Sequence, residues 1–298
     1  MTELKTRWYH LAAILTVIIW GTTFISTKVL INNGLSPVEI LLYRFILAYI
    51  CILFISPKRL FAKNIRDELL CAGTGLCGGS LYFVLENTAL QITLASNVSL
   101  IICTAPIFTA FLSRIIYRNE RIKSHLLVGS LIALLGVSLV VFNGSFILKI
   151  NPLGDILTIL AAVCWAFYGI ILQRLNKHYP ILFITRKVFF YGIITLLPVL
   201  FFNPTLVHFS LIKEPVIFSN LIFLGIIASL FCYITWNTAT KKLGVVQTAG
   251  YIYLIPLVTV ISSAIIIKEP ITIIAVIGCI FILCGVYTAE RGFKLRIH

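Results

Sequence analysis

Glu86 is the carboxylate set deepest among apolar residues. It lies near the end of the stretch LLCAGTGLCGGSLYFVLENTAL (69–90), where it is the single charged residue. Holding an ionisable group in such a run is costly, so its presence points to function. Four roles stay open: pairing a substrate amine, carrying a coupling proton, forming a structural ion pair with Arg44, or simply reaching interfacial water. At about 1.5 Å per residue, Glu86 lies roughly 6 Å and Arg44 roughly 10 Å from the same end of their helices. Other chemistry is thin. The five histidines stand at the ends of apolar runs, between them or at the terminus, and no paired carboxylates or nucleophile and base spacing occurs within a run. All eight cysteines fall in apolar runs without a CxxC pair or an adjacent His, which reads as buried small residues and not as metal ligands. A Gly-rich phosphate loop is missing, which argues against ATP-driven chemistry. These residues imply neither an enzyme nor a cofactor.

Residues three and four apart share a helix face. Gly75, Gly79, Tyr82 and Glu86 fall on one stripe, and Gly225, Ser229, Cys232 and Trp236 repeat it 150 residues later. Asn97, Ile101, Thr104 and Phe108 share a second face, matched by Gln247, Tyr251, Leu254 and Val258. Trp20, Thr23 and Thr27 form a third, and Trp165 with Tyr168 a fourth. Amides and hydroxyls need partners in an apolar medium, so these faces are expected to point inward. The candidate substrate-lining residues are therefore Trp20, Thr23, Tyr82, Glu86, Asn97, Thr104, Trp165, Tyr168, Trp236, Gln247 and Tyr251. For the glycines close helix packing is the simpler reading, and Gly129 with Gly136, like Gly278 with Gly285, reads as a helix-packing seam. Pro106 and Pro256 fall inside apolar runs, where each removes a backbone hydrogen bond and bends its helix. Glu120 and Glu269, at run ends, read as solvated or capping residues.

Helices in a bilayer have to carry these faces. With 60% hydrophobic and 11% charged residues among 298, and a mean hydropathy of +1.05, the chain has too little polar surface to coat a globule. Ten apolar runs, about 9–27, 37–55, 69–89, 95–116, 124–142, 153–172, 181–202, 217–239, 245–267 and 271–288, are each long enough to cross. The first is read as a span and not a signal peptide, because no small-residue cleavage site follows it. Seventeen Lys and Arg collect at one set of alternate run ends and four at the other. The formal charge of +14 thus reports topology and not nucleic-acid binding. Both termini are expected in the cytoplasm, with the chain in the cell (cytoplasmic or inner) membrane.

Most of this pattern is written twice. Asn87-Thr88-Ala89 returns as Asn237-Thr238-Ala239, Gly75 as Gly225 and Pro106 as Pro256 at a shift of 150; Glu120, Gly129 and Gly136 return as Glu269, Gly278 and Gly285 at 149. Five spans is an odd number, so the second copy enters from the opposite side and the halves form an inverted repeat. The expected fold class is all-α integral membrane, ten transmembrane helices as two inverted five-helix repeats. Residues 1–142 form the first, 143–152 an external connection, and 153–298 the second with a short cytoplasmic tail.

The ordered motifs Trp20-Gly21-Thr22-Thr23-Phe24 with Lys28, Pro37 with Arg44, Pro106, Glu120, Gly129 and Gly136, then Leu153-Gly154-Asp155, Trp165-Ala166, Pro256, Glu269, Gly278 and Gly285 resemble the EamA-type members of the drug/metabolite transporter superfamily over nearly the whole chain. The resemblance implies a substrate path between the halves, lined mainly by spans 1, 3, 4, 6, 8 and 9, with alternating access. It implies movement of amino acids, other metabolites or drugs, often outward. Glu86 is not a family-wide residue, and Arg44 has only an approximate mate in Arg186 or Lys187. The expectation is a secondary transporter, an exporter of a small polar metabolite such as an amino acid or amine. Its partners would be that substrate, the lipid bilayer and a coupling proton. A membrane-embedded enzyme or lipid-handling protein on the same scaffold is the alternative.

Overall fold

The structure, a computed structural model, describes residues 3–56, 61–93, 95–117, 124–142, 151–202, 209–266 and 272–291. Every regular element among them is helical. Span 1 is Glu3–Asn32, span 2 Pro37–Ile55, span 5 Ser124–Phe142, span 6 Pro152–Leu175, span 7 Ile181–Phe202 and span 10 Ile273–Arg291. The other four are interrupted. Span 3 runs as Ile65–Gly75, a π-helical turn Leu76–Ser80, and Leu81–Ile92. Span 8 repeats this as Pro215–Ile222, a π-helical Phe223–Phe231, and Cys232–Leu243. Span 4 is split into Ala95–Ile102 and Ala105–Ile116, and span 9 into Val245–Ala249, a 3-10 turn Gly250–Leu254, and Ile255–Ile266. Each of these last two breaks precedes a proline, Pro106 or Pro256, which cannot donate to the preceding turn.

Seven of these helices are long and apolar enough to cross a membrane, and three shorter apolar helices lie in spans 5, 9 and 10. The chain is thus an all-helical, multi-span membrane protein. Local chemistry sets where spans begin. Ser36 caps span 2: its hydroxyl accepts from the Glu39 amide at 3.2 Å while Glu39 accepts from the Ser36 amide at 2.8 Å, with Pro37 at the first helical position. Asn64 accepts from the amide of Asp67 at 2.8 Å to open span 3, and Asn151 accepts from that of Gly154 at 3.1 Å to open span 6. Gly34, at φ +94°, turns span 1 into span 2 in a conformation open mainly to glycine.

Small residues set the packing. Spans 5 and 10 lie backbone to backbone: a methyl group on Gly136 would meet the carbonyl of Gly278 and the amide of Ile282 at 2.6 Å, and one on Gly129 the carbonyl of Gly285 at 2.6 Å. These are the seams read from the seven-residue spacing. The repeated Asn-Thr-Ala also acquires a role, since both asparagines are buried and both tie their span to a neighbour. Asn87 donates to the carbonyl of Pro37 at 3.4 Å, joining span 3 to span 2; Asn237 donates to Thr185 at 3.0 Å, joining span 8 to span 7.

Two cations expected inside span 7 lie where it meets spans 2 and 3, at the end of the bundle where span 1 begins, hereafter the near end. Arg186 donates to the carbonyl of Ser56 at 2.5 Å, and Lys187 pairs with Glu68. Lys187 is also ringed by Phe61, Phe183, Phe190 and Tyr191, at 5.0–5.7 Å from its ammonium. Neither lines the cleft that Arg44 enters. Glu120, Glu269 and most of the 143–152 connection lie outside the described residues.

Candidate transport cavity

The far half of the bundle holds a cleft whose open volume, mouth included, is about 460 Å³. Trp20, Thr23 and Phe24 come from span 1, Arg44 from span 2, and Tyr82, Phe83 and Glu86 from span 3. Ile102 of span 4, Trp165 of span 6, and Ile252 and Ile255 of span 9 complete the wall. Most of this surface is apolar, with two charges set into it.

The charges are held apart. Arg44, 3% exposed, donates through Nε to the hydroxyl of Ser229 on span 8, and its guanidinium lies 4.3 Å from the centre of the Phe83 ring. Glu86, 7% exposed, accepts at 2.6 Å from the hydroxyl of Tyr82, one turn before it. Among the described residues these are the only hydrogen bonds of either group, and the two do not approach within the 4.0 Å of an ion pair. The ion pair left open by the sequence is therefore absent. The terminal nitrogens of Arg44 and the second oxygen of Glu86 remain available to a third party, in an apolar enclosure where such interactions are strong.

Widened turns position this wall. A π-turn adds one residue to the helix, and π-turns are rare enough to mark sites more often than chance. Those in spans 3 and 8 fall at matching places in the two repeats, and in each an aromatic donor reaches a carbonyl. The indole of Trp20 donates to Ala228 at 3.0 Å, and the hydroxyl of Tyr233 donates to Gly78. Ala228 and Gly78 are 150 residues apart, the shift of the repeat. Trp20, Trp165, Trp236, Tyr168 and Tyr233 pack together at centroid distances of 5.0–6.2 Å and floor the cleft on its near side.

Trp20, Thr23, Tyr82, Glu86 and Trp165 of the residues read from the sequence meet at this one cleft. Tyr168 and Trp236 sit behind its wall: Tyr168 is fully buried and donates to Asn237 at 2.6 Å, and Trp236 packs 5.0 Å from Trp20. Thr104 spends its hydroxyl on the carbonyl of Ile101 at 2.6 Å, inside the break of span 4. Gln247 and Tyr251 line a separate pocket nearer the other end, with Leu126, Gly250, Val286 and Ala289. The backbone of Asn97 belongs to Ala95–Ile102, but its side chain is outside the described residues.

The four-residue stripe on span 3 does not hold. Gly75 faces Tyr191 and Gly192 of span 7, and Gly79 faces Phe45, whereas Tyr82 and Glu86 face the cleft. The extra residue at Leu76–Ser80 rotates the two halves of the helix by about 100° relative to the spacing rule. Phe24, Phe83, Ile102, Ile252 and Ile255 were not legible as lining residues, since nothing in their type separates a cavity wall from a core. Arg44 carried a signal, its charge within an apolar run.

Among the described residues, seven long and three shorter apolar helices, six spans of which wall a charged cleft, define a polytopic membrane protein. The chain belongs to the EamA-like transporter family, whose sequence profile matches residues 7–142 and again 152–289. It is 30% identical over 286 residues to an uncharacterized transporter of Archaeoglobus fulgidus, covering 93% of this chain and 96% of that one. It is 23% identical to a probable amino-acid metabolite efflux pump of Escherichia coli, covering 95% of each. It is 25% identical to a probable terminal-alkyne amino-acid exporter of Streptantibioticus cattleyicolor, covering 94% of this chain and 92% of that one. A solved structure superimposes with a TM-score of 0.74 at 17% identity, over 95% of this chain and 97% of that one, a likeness of fold. The family and these relatives are named as transporters and not as enzymes.

Proposed function

We propose that this chain is a secondary transporter exporting a small zwitterionic metabolite of the amino-acid class. It works by alternating access between two inverted five-helix repeats in the cell membrane, with both termini in the cytoplasm. One observation carries the substrate reading: buried Arg44 and Glu86 line the same apolar cleft without touching each other. A carboxylate on Arg44 and an ammonium on Glu86 would satisfy both groups at once, and a plain amine would leave Arg44 unpaired. The names of the Escherichia coli and Streptantibioticus cattleyicolor relatives support the amino-acid class and the outward direction. Basic residues gathered at one set of run ends support the orientation. The matching interruptions of spans 3 and 8, and of spans 4 and 9, support two equivalent halves.

Matched ligands test it. L-leucine carries both charges, isoamylamine is the same molecule without its carboxylate and keeps the positive one, and 4-methylpentanoate is the same molecule without its amine and keeps the negative one. Each charge-assisted contact contributes about 1.5–3 kcal/mol, so the zwitterion should bind the purified protein about tenfold or more tighter than either half, read by thermal stabilisation. Equal stabilisation by L-leucine and isoamylamine would overturn the zwitterion reading. Silence from every common amino acid would overturn the class.

A further inference from the structure

We infer that the contact between His10 and Tyr251 is the latch that closes the near end of the transport path, and that it opens by movement of the 3-10 turn of span 9. The inference rests on the transport reading above. Nδ1 of His10 and the hydroxyl of Tyr251 lie 2.5 Å apart, joining span 1 of the first repeat to span 9 of the second. His10 stands ten residues before Trp20, about 15 Å along the helix, so this contact is well beyond the aromatic floor of the cleft. A second tie lies between them: Thr16 and Thr235 share a 2.7 Å hydrogen bond that joins span 1 to span 8. Spans 1, 8 and 9 thus converge on the near side, while the charged cleft lies toward the far side.

Tyr251 is built on a movable segment. Gly250–Leu254 is a 3-10 turn between two α-helical pieces, a poorer hydrogen-bonded geometry that marks hinges when it occurs within a helix. Pro256 follows it and cannot restore the missing bond. The packing of the turn is loose on one side. A small open pocket separates Gln247, Gly250 and Tyr251 from Leu126, Val286 and Ala289 of spans 5 and 10. A methyl group on Gly250 would meet nothing within 4 Å. Shifting this turn toward spans 5 and 10 would part Tyr251 from His10 and uncover the near end of the path, while the glycine seam between spans 5 and 10 stays closed.

Tyr251→Phe and His10→Phe each keep a ring and remove the hydrogen bond, whose net worth sets an expected rise of about threefold to tenfold in the open population. Hydrogen exchange on the full-length protein should rise by that factor in peptides covering 245–256 and 8–16 and stay unchanged across 129–136 and 278–285. Unchanged exchange in the first pair would overturn the latch, as would an equal rise everywhere, which reports general loosening. Sidedness gives the second measurement. A cysteine at Thr23, with the native thiols replaced, is labelled with an impermeant maleimide in right-side-out and inside-out vesicles. In both variants its rate from the side of the N-terminus should rise by a similar factor relative to the other side. Labelling from one side only, at an unchanged ratio in the variants, sinks the latch alone. No labelling from either side in any variant removes the transport path, and the latch with it.

Discussion

Tyr233→Phe tests whether side chains hold the widened turns of spans 3 and 8. The substitution removes one oxygen and leaves the ring, so contacts with Phe189 at 5.4 Å, Tyr168 at 6.0 Å, and Trp20 and Trp165 at 6.2 Å all persist. What disappears is the hydroxyl that Tyr233, 1% exposed, gives to the carbonyl of Gly78. Water cannot replace it there. An unsatisfied buried acceptor costs about 1–3 kcal/mol, and a chain this long loses about 2 °C of melting temperature per kcal/mol, so the expected fall is about 2–6 °C. The protein supplies its own reporter, since Cys71, Cys103, Cys164 and Cys232 are buried and react with a thiol-sensitive dye only once the helices part. Trp20→Phe removes the matching donor to Ala228 and should fall at least as far, because it also deletes ring volume. A Tyr233→Phe protein melting within about 1 °C of the parent would refute the reasoning, because the carbonyl would then be satisfied without the hydroxyl.

Gly136→Val forces a side chain into the 2.6 Å approach of Gly278 and Ile282. It should destabilise the fold by about 1–3 kcal/mol or more, seen as aggregation in size-exclusion chromatography, whereas Leu131→Val on the exposed face of the same helix should not. Lys187→Met removes the cation from Glu68, which keeps the Tyr191 hydroxyl and the Ala62 amide, and should cost about 1–3 kcal/mol of thermal stability, largely recovered by adding Glu68→Leu. Ser229→Ala frees Arg44 to swing toward Glu86; the melting temperature should hold or rise while stabilisation by L-leucine falls about tenfold or more in affinity, read by titration. Single cysteines at the exposed positions Asn33 and Lys213 should label from outside sealed cells, and those at Lys63 and Lys242 only after permeabilisation.

Much of the fold was legible because bilayer crossing imposes length and composition on every span, and because a doubled pattern repeats its own evidence. The seam glycines could be read since a seven-residue spacing survives in the continuous helices of spans 5 and 10. The prolines at 106 and 256 located the breaks of spans 4 and 9. Face assignments failed where the helix changes its period. Gly75 and Tyr82 sit across the π-turn of span 3, and Gln247 and Tyr251 enter a different pocket from Ile252 and Ile255 through a 3-10 turn. Spacing rules assume one constant angle per residue, and each interruption resets it. Tyr233 escaped notice for another reason. An aromatic among aromatics carries no signal in its type, and its role depends on a carbonyl 155 residues away.

The separation of Arg44 from Glu86 has an energetic logic that joins fold to function. Two opposite charges inside one apolar cleft would gain several kcal/mol by closing on each other. They are kept from doing so by partners on other elements: Ser229, carried by the π-turn of span 8, and Phe83 hold the guanidinium, and Tyr82 holds the carboxylate. Folding therefore bears a cost that a relaxed pair would avoid, and a ligand bearing both complementary charges recovers it on binding. Such a cleft should prefer its ligand by charge pattern before shape. It should also release that ligand when spans 3 and 8 shift and let the two side chains approach, since the protein then supplies each charge with the other in place of the substrate.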